Sequence, residues 1–206
     1  MGAPLFLAAG SYDVPRIWTF LAAVLVFTVL NMAYMWKADP ALLERRLQGH
    51  KGEVEKSQKS IRRIMNLLVL GLLIVAGLDI RNGWSHMALS YVAAGYVLFA
   101  GGLVVYLTVL RQNSFASSII HVEHDQALIT NGLYRHVRHP MYSGFILVFA
   151  GIPLALGSWW ALLLALPLVA LLIVRLTEEE RVLLENLPGY GSYRQQTRRR
   201  LIPFIW

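Results

Sequence analysis

Long apolar segments separated by short charged ones dominate the sequence. A helix rises 1.5 Å per residue, so about 20 apolar residues are needed to cross the hydrocarbon layer of a membrane. The apolar runs are Ile17–Trp36, Ile64–Ile80, Trp84–Leu110, Tyr142–Leu156 and Trp159–Val174. The last two are short and are separated only by a Gly-Ser pair, so they form either two tight crossings or a hairpin that tilts or enters part-way. We expect two crossings. The pattern therefore predicts an all-α, polytopic integral membrane protein with about five transmembrane helices.

The composition supports a membrane protein. Hydrophobic residues make up 56% of the chain and charged residues 15%, whereas a soluble domain carries about 25% charged residues. The surplus apolar surface is expected to face lipid. Because the chain contains no cysteine, disulfides, thiolate metal sites and cysteine nucleophiles are excluded.

The basic residues are distributed unevenly between the two ends of the predicted helices. Lys37–Arg63, Arg111–His139 and Arg175–Trp206 contain all but Arg16 and Arg81 of the 19 lysines and arginines. Basic connectors remain on the cytoplasmic side of a membrane, which predicts an external N-terminus and an internal C-terminus. The formal net charge of +7 then favours contact with anionic lipid headgroups, and no nucleic-acid partner is expected. The oligomeric state has no signal in the sequence.

The chain shows no internal repeat, and we interpret it as one domain, 1–206, with N-terminal transmembrane helices in 1–110 and a cofactor-binding, catalytic half in 111–206. The connector between the first two runs mixes charge with leucine, which predicts an amphipathic helix at the membrane surface. In the third run, Gly95, Gly101 and Gly102 are expected to let another helix approach closely.

Polar residues concentrate in two stretches, one ending at Pro140 and one beginning at Arg175. The hairpin between them starts and finishes at the same membrane face, so we expect His139 and Glu179 to be neighbours. Arg175 and Glu179 stand four residues apart, on one face of a helix. An ionised group at the hydrocarbon edge, such as Arg175, is usually functional or paired. Among the glutamates at 178–180, one is expected to face inward while the others are solvated.

Two pairs of histidines, His121/His124 and His136/His139, have a spacing that places two rings on one side of a helix, as in some metal sites. Iron sites of membrane oxygenases use larger histidine clusters than the six histidines of this chain provide. Pro140 also ends any helix at His139. We therefore expect no metal, and interpret these histidines as interfacial residues bonded to backbone or headgroups.

Several motifs occur in a characteristic order in the last third of the chain. Residues 128–144 read LITNGLYRHVRHPMYSG, and the hairpin is followed by Glu179-Glu180, by YGSY at 190–193 and by IPFI at 202–205. This order resembles the isoprenylcysteine carboxyl methyltransferase family, and is similar to the wider group that includes phospholipid N-methyltransferases. The resemblance covers about residues 120–206. It implies an all-helical enzyme that uses S-adenosyl-L-methionine, bound in a pocket on the cytoplasmic side.

The resemblance also implies roles for individual residues. Arg175 matches a family arginine associated with the methyl-accepting substrate, and Arg175 and Glu179 are the implied catalytic residues. The implied cofactor contacts are His121, Gln126, Ala127, Leu128, Ile129, Tyr134, His139, Pro140, Met141, Tyr142 and Glu179.

The implied reaction is methylation of a lipophilic acceptor embedded in the membrane, in the first place carboxyl O-methylation of an isoprenylcysteine-like substrate. Phospholipid N-methylation, small-thiol S-methylation and a non-catalytic membrane relative are the alternatives. A solute carrier is expected to have charges at mid-membrane within broken helices. The apolar runs here carry charge only near their edges, at Asp79 and Arg175, which disfavours a carrier.

Overall fold

The part of the chain that the computed structural model describes comprises residues 1–48, 56–116, 122 and 126–202, and most of it is helical. No strand occurs in these ranges. The helices are α1 (Gly2–Ala9), α2 (Pro15–Ala38), α3 (Pro40–Gln48), α4 (Lys56–Asn82), α5 (Leu89–Gln112), α6 (Pro140–Ala155), α7 (Trp159–Leu163), α8 (Ala165–Asn186) and α9 (Tyr190–Gln196), with a 3-10 turn at Gly132–Arg135.

The helices confirm the predicted all-α, polytopic membrane architecture. Within the described ranges, four segments are long and apolar enough to cross a membrane: Pro15–Ala38, Gln58–Asn82, Leu89–Gln112 and Trp159–Asn186. The remaining apolar run forms α6, whose 16 residues correspond to about 24 Å at 1.5 Å per residue. That length is less than the roughly 30 Å of a bilayer core. Two full crossings by the last pair of runs therefore stay a prediction.

Proline, serine and glycine set the limits of the hairpin helices. Pro140 occupies the first turn of α6, where its missing N–H leaves no bond unmade. Gly157, with φ of 72°, reverses the chain after α6, in the left-handed region that glycine tolerates. The hydroxyl of Ser158 then accepts a hydrogen bond of 3.0 Å from the amide of Ala161 and caps α7.

Glycines let α5 and α6 pack with their backbones almost in contact. A Cβ added to Gly102 would lie 2.5 Å from the carbonyl oxygen of Gly144, and one added to Gly151 would lie 2.6 Å from the amide nitrogen of Phe99. Real Cβ atoms essentially never come this close to backbone, so only glycine fits. This interface holds the start of α6 beside the end of α5, where the polar residues are.

The predicted role of the glycines in α5 is correct at two of three positions. Gly95 packs against the backbone of Leu154 and Ala155, and Gly102 packs against α6. The prediction for Gly101 is wrong, because a Cβ there would meet nothing within 4 Å. Adjacent residues point about 100° apart around a helix, so only one of the two neighbouring glycines faces α6.

The predicted connector helix corresponds to α3. Asp39 caps it by accepting a hydrogen bond of 3.0 Å from the amide of Leu42. Leu42 is fully buried, and it packs in a cluster with Met35 of α2 and Leu110 of α5. The helix is therefore part of the bundle, and it covers the ends of α2 and α5.

The opposite end of the bundle is held by Asp79 near the end of α4. This side chain is buried and accepts hydrogen bonds from the amide and hydroxyl of Ser85, at 2.7 and 2.6 Å, and from the hydroxyl of Ser158. A buried carboxylate needs such donors to offset its lost hydration. Asp79 thus connects α4 to the turn of the hairpin.

The glycine contact predicts different effects for two neighbouring substitutions. We expect Gly102→Ala to lower the free energy of unfolding by about 1–3 kcal/mol, because the added methyl group overpacks the α5–α6 interface. Gly101→Ala faces open space and is the matched control. Unfolding in detergent, followed by circular dichroism, measures both. Equal stability of the two variants would contradict the packing described here.

Candidate functional site

The two polar stretches and the surrounding helix ends enclose a cavity of about 280 Å³. Its walls come from α3, the start of α4, the residues that follow α5, the 3-10 turn, the start of α6, the polar end of α8, and α9. Tyrosines and aliphatic side chains make up much of the lining, and several charged groups interrupt it. Such a cavity, apolar with a few polar groups, is typical of a small-molecule site.

Every predicted site residue that the structure describes lines this cavity. These residues are Gln126, Ala127, Leu128, Ile129, Tyr134, His139, Pro140, Met141, Tyr142, Arg175 and Glu179. His121 lies outside the described residues. The expected proximity of the two stretches is present, since Nδ1 of His139 lies 3.9 Å from Oε1 of Glu179. The individual roles in binding and catalysis stay predictions.

Tyr142 links the two predicted catalytic residues. Its hydroxyl donates to Oε2 of Glu179 at 2.5 Å and accepts from Nε of Arg175 at 3.1 Å. Arg175 and Glu179, four residues apart on α8, are thus both in contact with a tyrosine at the start of α6. This arrangement holds the planar guanidinium and the carboxylate at fixed positions on one wall of the cavity.

The three glutamates of α8 contact three different parts of the chain. Glu178 accepts a hydrogen bond from Gln58 of α4, Glu179 accepts one from Tyr142, and Glu180 pairs with Arg138. The expectation of one inward glutamate and two solvated ones is therefore wrong. Their 100° spacing is as predicted, but helices or loops pack against α8 in each of the three directions.

Arg138 and Glu180 form a buried ion pair that the sequence reasoning missed. Nε of Arg138 donates to Oε1 of Glu180 at 2.7 Å, and both side chains are almost fully buried. Arg200 donates to the other oxygen, Oε2, at 3.1 Å. Nε2 of His139 lies 3.2 Å from Oε1. Arg138, Arg200 and His139 therefore all contact the carboxylate of Glu180. The contact with Glu180 fixes the orientation of the His139 ring.

The same arginine also holds the segment after α9. Its Nη1 donates to the carbonyl oxygens of Thr197 and Arg198, both at 2.7 Å. The amides of Arg138 and His139 donate to the carbonyls of Arg199 and Arg200, both at 2.9 Å. The segment after α9 is thus joined through its backbone to Arg138 and His139, which line the cavity.

Tyr134 lies in the 3-10 turn and is held at both of its ends. Gly132 adopts a φ of 59°, as expected for the Asn-Gly pair. The Tyr134 hydroxyl accepts from Nδ2 of Asn113 at 2.9 Å, and its carbonyl accepts from the hydroxyl of Tyr193 at 2.7 Å. Burial raises the pKa of Tyr134 to about 12, so the phenol is neutral at physiological pH. Asn113 had no sequence signal beyond its position after α5.

His136 and His139, one of the two histidine pairs with metal-ligand spacing, lie in different surroundings. His136 is exposed, whereas His139 is buried against the glutamates of α8. The described residues contain no group of three or more histidine, aspartate or glutamate side chains arranged to hold a metal ion. His124, like His121, lies outside them.

Two comparisons with known proteins each find a similarity to methyltransferases. Residues 90–189 match the family model described as phospholipid methyltransferase. A stretch of 74 residues is 36% identical to the protein-S-isoprenylcysteine O-methyltransferase of Schizosaccharomyces pombe. This stretch is 35% of the present chain and 31% of that relative, so the match spans about a third of the relative's length. The resemblance identified from the motifs is confirmed.

The buried ion pair gives a prediction for stability. We expect Arg138→Gln to lower the free energy of unfolding by about 3–5 kcal/mol, because it leaves the Glu180 carboxylate buried without its partner. Arg198→Gln is the control, because it removes an exposed arginine from the segment after α9 that Arg138 contacts. Thermal unfolding in detergent distinguishes them. Equal unfolding temperatures for Arg138→Gln and Arg198→Gln would show that the Arg138–Glu180 pair does not stabilise the protein.

Proposed function

Because residues 90–189 match the phospholipid methyltransferase family, we propose that this protein is an S-adenosylmethionine-dependent methyltransferase acting on a lipophilic acceptor in the membrane. The observation that supports this most strongly is the common cavity: eleven residues singled out by the family resemblance come from separate segments and line one space. The proposed cofactor and acceptor sites are parts of this cavity.

The chemistry of the lining suits a positively charged nucleoside. Tyr134 and Tyr142 offer aromatic surface and hydroxyl groups near the start of α6. The Glu179 carboxylate can accept hydrogen bonds from a ribose or an amino group, and its charge favours a nearby sulfonium. Arginine side chains on the same lining suit a carboxylate. Each charged part of the cofactor thus has a group of opposite sign available.

The proposed mechanism is an in-line displacement in which the protein mainly aligns and desolvates the reactants. When bound, S-adenosylmethionine supplies a methyl carbon that accepts an oxygen lone pair of the acceptor, while the electrons of the carbon–sulfur bond stay on sulfur. Arg175 holds an acceptor carboxylate through two parallel hydrogen bonds. Tyr142 orients Arg175 and Glu179 relative to each other. An ionised carboxylate needs no general base.

Carboxyl O-methylation of an isoprenylcysteine-like acceptor is the favoured reaction. It is supported by the name of the relative from Schizosaccharomyces pombe and by the position of Arg175 on the cavity wall. Phospholipid N-methylation is the second candidate, supported by the family that residues 90–189 match. An amine acceptor has to lose a proton, and then His139 or Glu179 is the proposed proton acceptor.

We also propose that the cavity opens to the cytoplasm. The basic segments of the chain adjoin the cavity end of the helices, where Arg46, Arg62 and Arg175 lie, and the positive-inside rule places that end in the cytoplasm. Labelling of single cysteines introduced at exposed positions such as Arg194 tests this in intact cells. Labelling by a membrane-impermeant maleimide without permeabilisation would contradict it.

The catalytic proposal predicts a specific loss for one arginine. Purified protein is incubated with methyl-labelled S-adenosylmethionine and either prenylcysteine analogues or lipid extracts. Base-labile label on a prenylcysteine is the expected product, since it indicates a methyl ester. Base-stable label on a phospholipid would instead indicate N-methylation. We expect Arg175→Ala to reduce turnover by about 10²-fold or more, as for loss of a charged group that acts on the reacting atoms, while cofactor binding stays measurable by calorimetry.

Arg181→Ala is the control for that experiment, because it removes an exposed arginine from the same helix. Turnover by Arg175→Ala equal to that of Arg181→Ala would remove Arg175 from the acceptor site. Absence of cofactor binding by the wild-type protein would overturn the proposed function as a whole.

A further inference from the structure

Two arginines of the N-terminal segment line the cavity, and neither lies within residues 90–189. They are Arg46 of α3 and Arg62 of α4. Nothing in the motif order points to them, and neither has a role in the proposed binding or catalysis. Their position in the cavity suggests that this segment contributes charge as well as transmembrane helices to the site.

The orientation of Arg62 follows from the contacts on either side of it. Gln58, Arg62 and Met65 are spaced i, i+4 and i+7, so they share one face of α4. Gln58 donates a hydrogen bond to Glu178 of α8, and Met65 lines the cavity together with Arg62. This face of α4 is therefore turned toward α8. Arg63, the next residue, is exposed.

Arg46 is held in place by contacts that leave one of its nitrogens unused. Nη1 donates to the hydroxyl of Tyr106 at 2.6 Å and Nη2 donates to the carbonyl of Ala116 at 2.7 Å. The guanidinium carbon lies 5.3 Å from the centre of the Tyr106 ring. Nε is buried and has no hydrogen-bond partner among the residues that the structure describes. A buried donor left unpaired costs about 1–3 kcal/mol, so holding Arg46 in this position costs stability.

The charges of the cavity do not balance. Among the described residues of its lining, arginines at 46, 62, 138 and 175 face a single carboxylate, that of Glu179. Arg138 is neutralised by Glu180 directly behind the wall. Arg62 is half-buried and makes no hydrogen bond or ion pair with any described residue. The cavity therefore has an excess of positive charge on its α3–α4 side, even if Arg175 is assigned to an acceptor.

We propose that Arg46 and Arg62 form an anion subsite that takes a carboxylate or phosphate group of a ligand in the cavity. Arginine suits this role because its guanidinium binds both groups with paired hydrogen bonds. The anion has two possible sources, the carboxylate of S-adenosylmethionine or an acidic group on the amphiphilic acceptor. The assignment of the source rests on the proposed function, whereas the anion chemistry of the subsite does not.

The decisive variant is Arg62→Gln, with Arg63→Gln as the control that removes the same charge from the exposed side of α4. Calorimetry with S-adenosylmethionine and with its decarboxylated analogue tests the first source. We expect a cofactor carboxylate in the subsite to make Arg62→Gln bind S-adenosylmethionine at least tenfold more weakly than Arg63→Gln does, with no difference for the analogue. An acidic acceptor group there would instead leave cofactor affinity unchanged and raise KM for the acceptor tenfold.

A further probe, dodecyl phosphate, requires neither the cofactor nor the acceptor. Dodecyl phosphate, added to protein in a neutral detergent, is expected to raise the unfolding temperature of the wild type and of Arg63→Gln more than that of Arg62→Gln. If the wild type fails to bind S-adenosylmethionine but this difference persists, the proposed function is wrong and the anion subsite remains.

Equal behaviour of Arg62→Gln and Arg63→Gln with S-adenosylmethionine, with the acceptor and with dodecyl phosphate would overturn the subsite. Arg46→Lys keeps a positive charge but loses the paired geometry, and we expect it to weaken binding of the same anion. Wild-type binding by Arg46→Lys, in protein whose unfolding temperature is unchanged, would remove Arg46 from the subsite.

Discussion

The buried contact between Arg138 and Glu180 holds three separate parts of the chain at one point. Arg138 precedes α6, Glu180 lies on α8, and Arg138 also binds the carbonyls of the segment after α9. Two buried charges are tolerated only when their geometry and remaining hydrogen bonds are satisfied. Here His139 and Arg200 supply these bonds. The neighbouring positions are consequently fixed, and among them are Tyr142 and Glu179, which face the cavity.

Close helix packing is what brings those charges together. The glycines at the α5–α6 interface allow the start of α6 to lie against the end of α5. At the far end, Asp79 connects α4 to the hairpin turn. A membrane offers no hydrophobic driving force between helices, so close packing and interhelical hydrogen bonds hold the helices together. The cavity thus depends on contacts at both ends of the bundle, although its own residues lie at one end.

The hydrophobic pattern was sufficient to predict the long apolar helices and the proximity of the two polar stretches, but not the short helices α1 and α9. A hairpin must return to the face where it began, so His139 and Glu179 had to be near each other whatever the details. The direction in which neighbouring residues point was not predictable in the same way. Gly101 and Gly102 are equally small, and Glu178 and Glu180 are equally charged, but each pair differs in rotation around its helix. Only the neighbouring elements decide which of them is buried.

Arg46 and Arg62 were missed for a different reason. In the sequence they belong to a basic connector, where charge is expected simply because the segment faces the cytoplasm. The contacts of Tyr106, Ala116 and Gln58 distinguish them from the other basic residues of that connector. Long-range contacts of this kind leave no trace in local spacing, so a structure was needed to find them.

The central claim is that the cavity between the start of α6 and the polar end of α8 receives the methyl donor. An experimental structure of the protein with S-adenosylhomocysteine in a lipid nanodisc tests it most directly. The account predicts that the nucleoside occupies this cavity, with Glu179 within hydrogen-bonding distance of it and the ring of Tyr134 or Tyr142 alongside. Density for the nucleoside at any other place on the protein, with this cavity empty, would contradict the account.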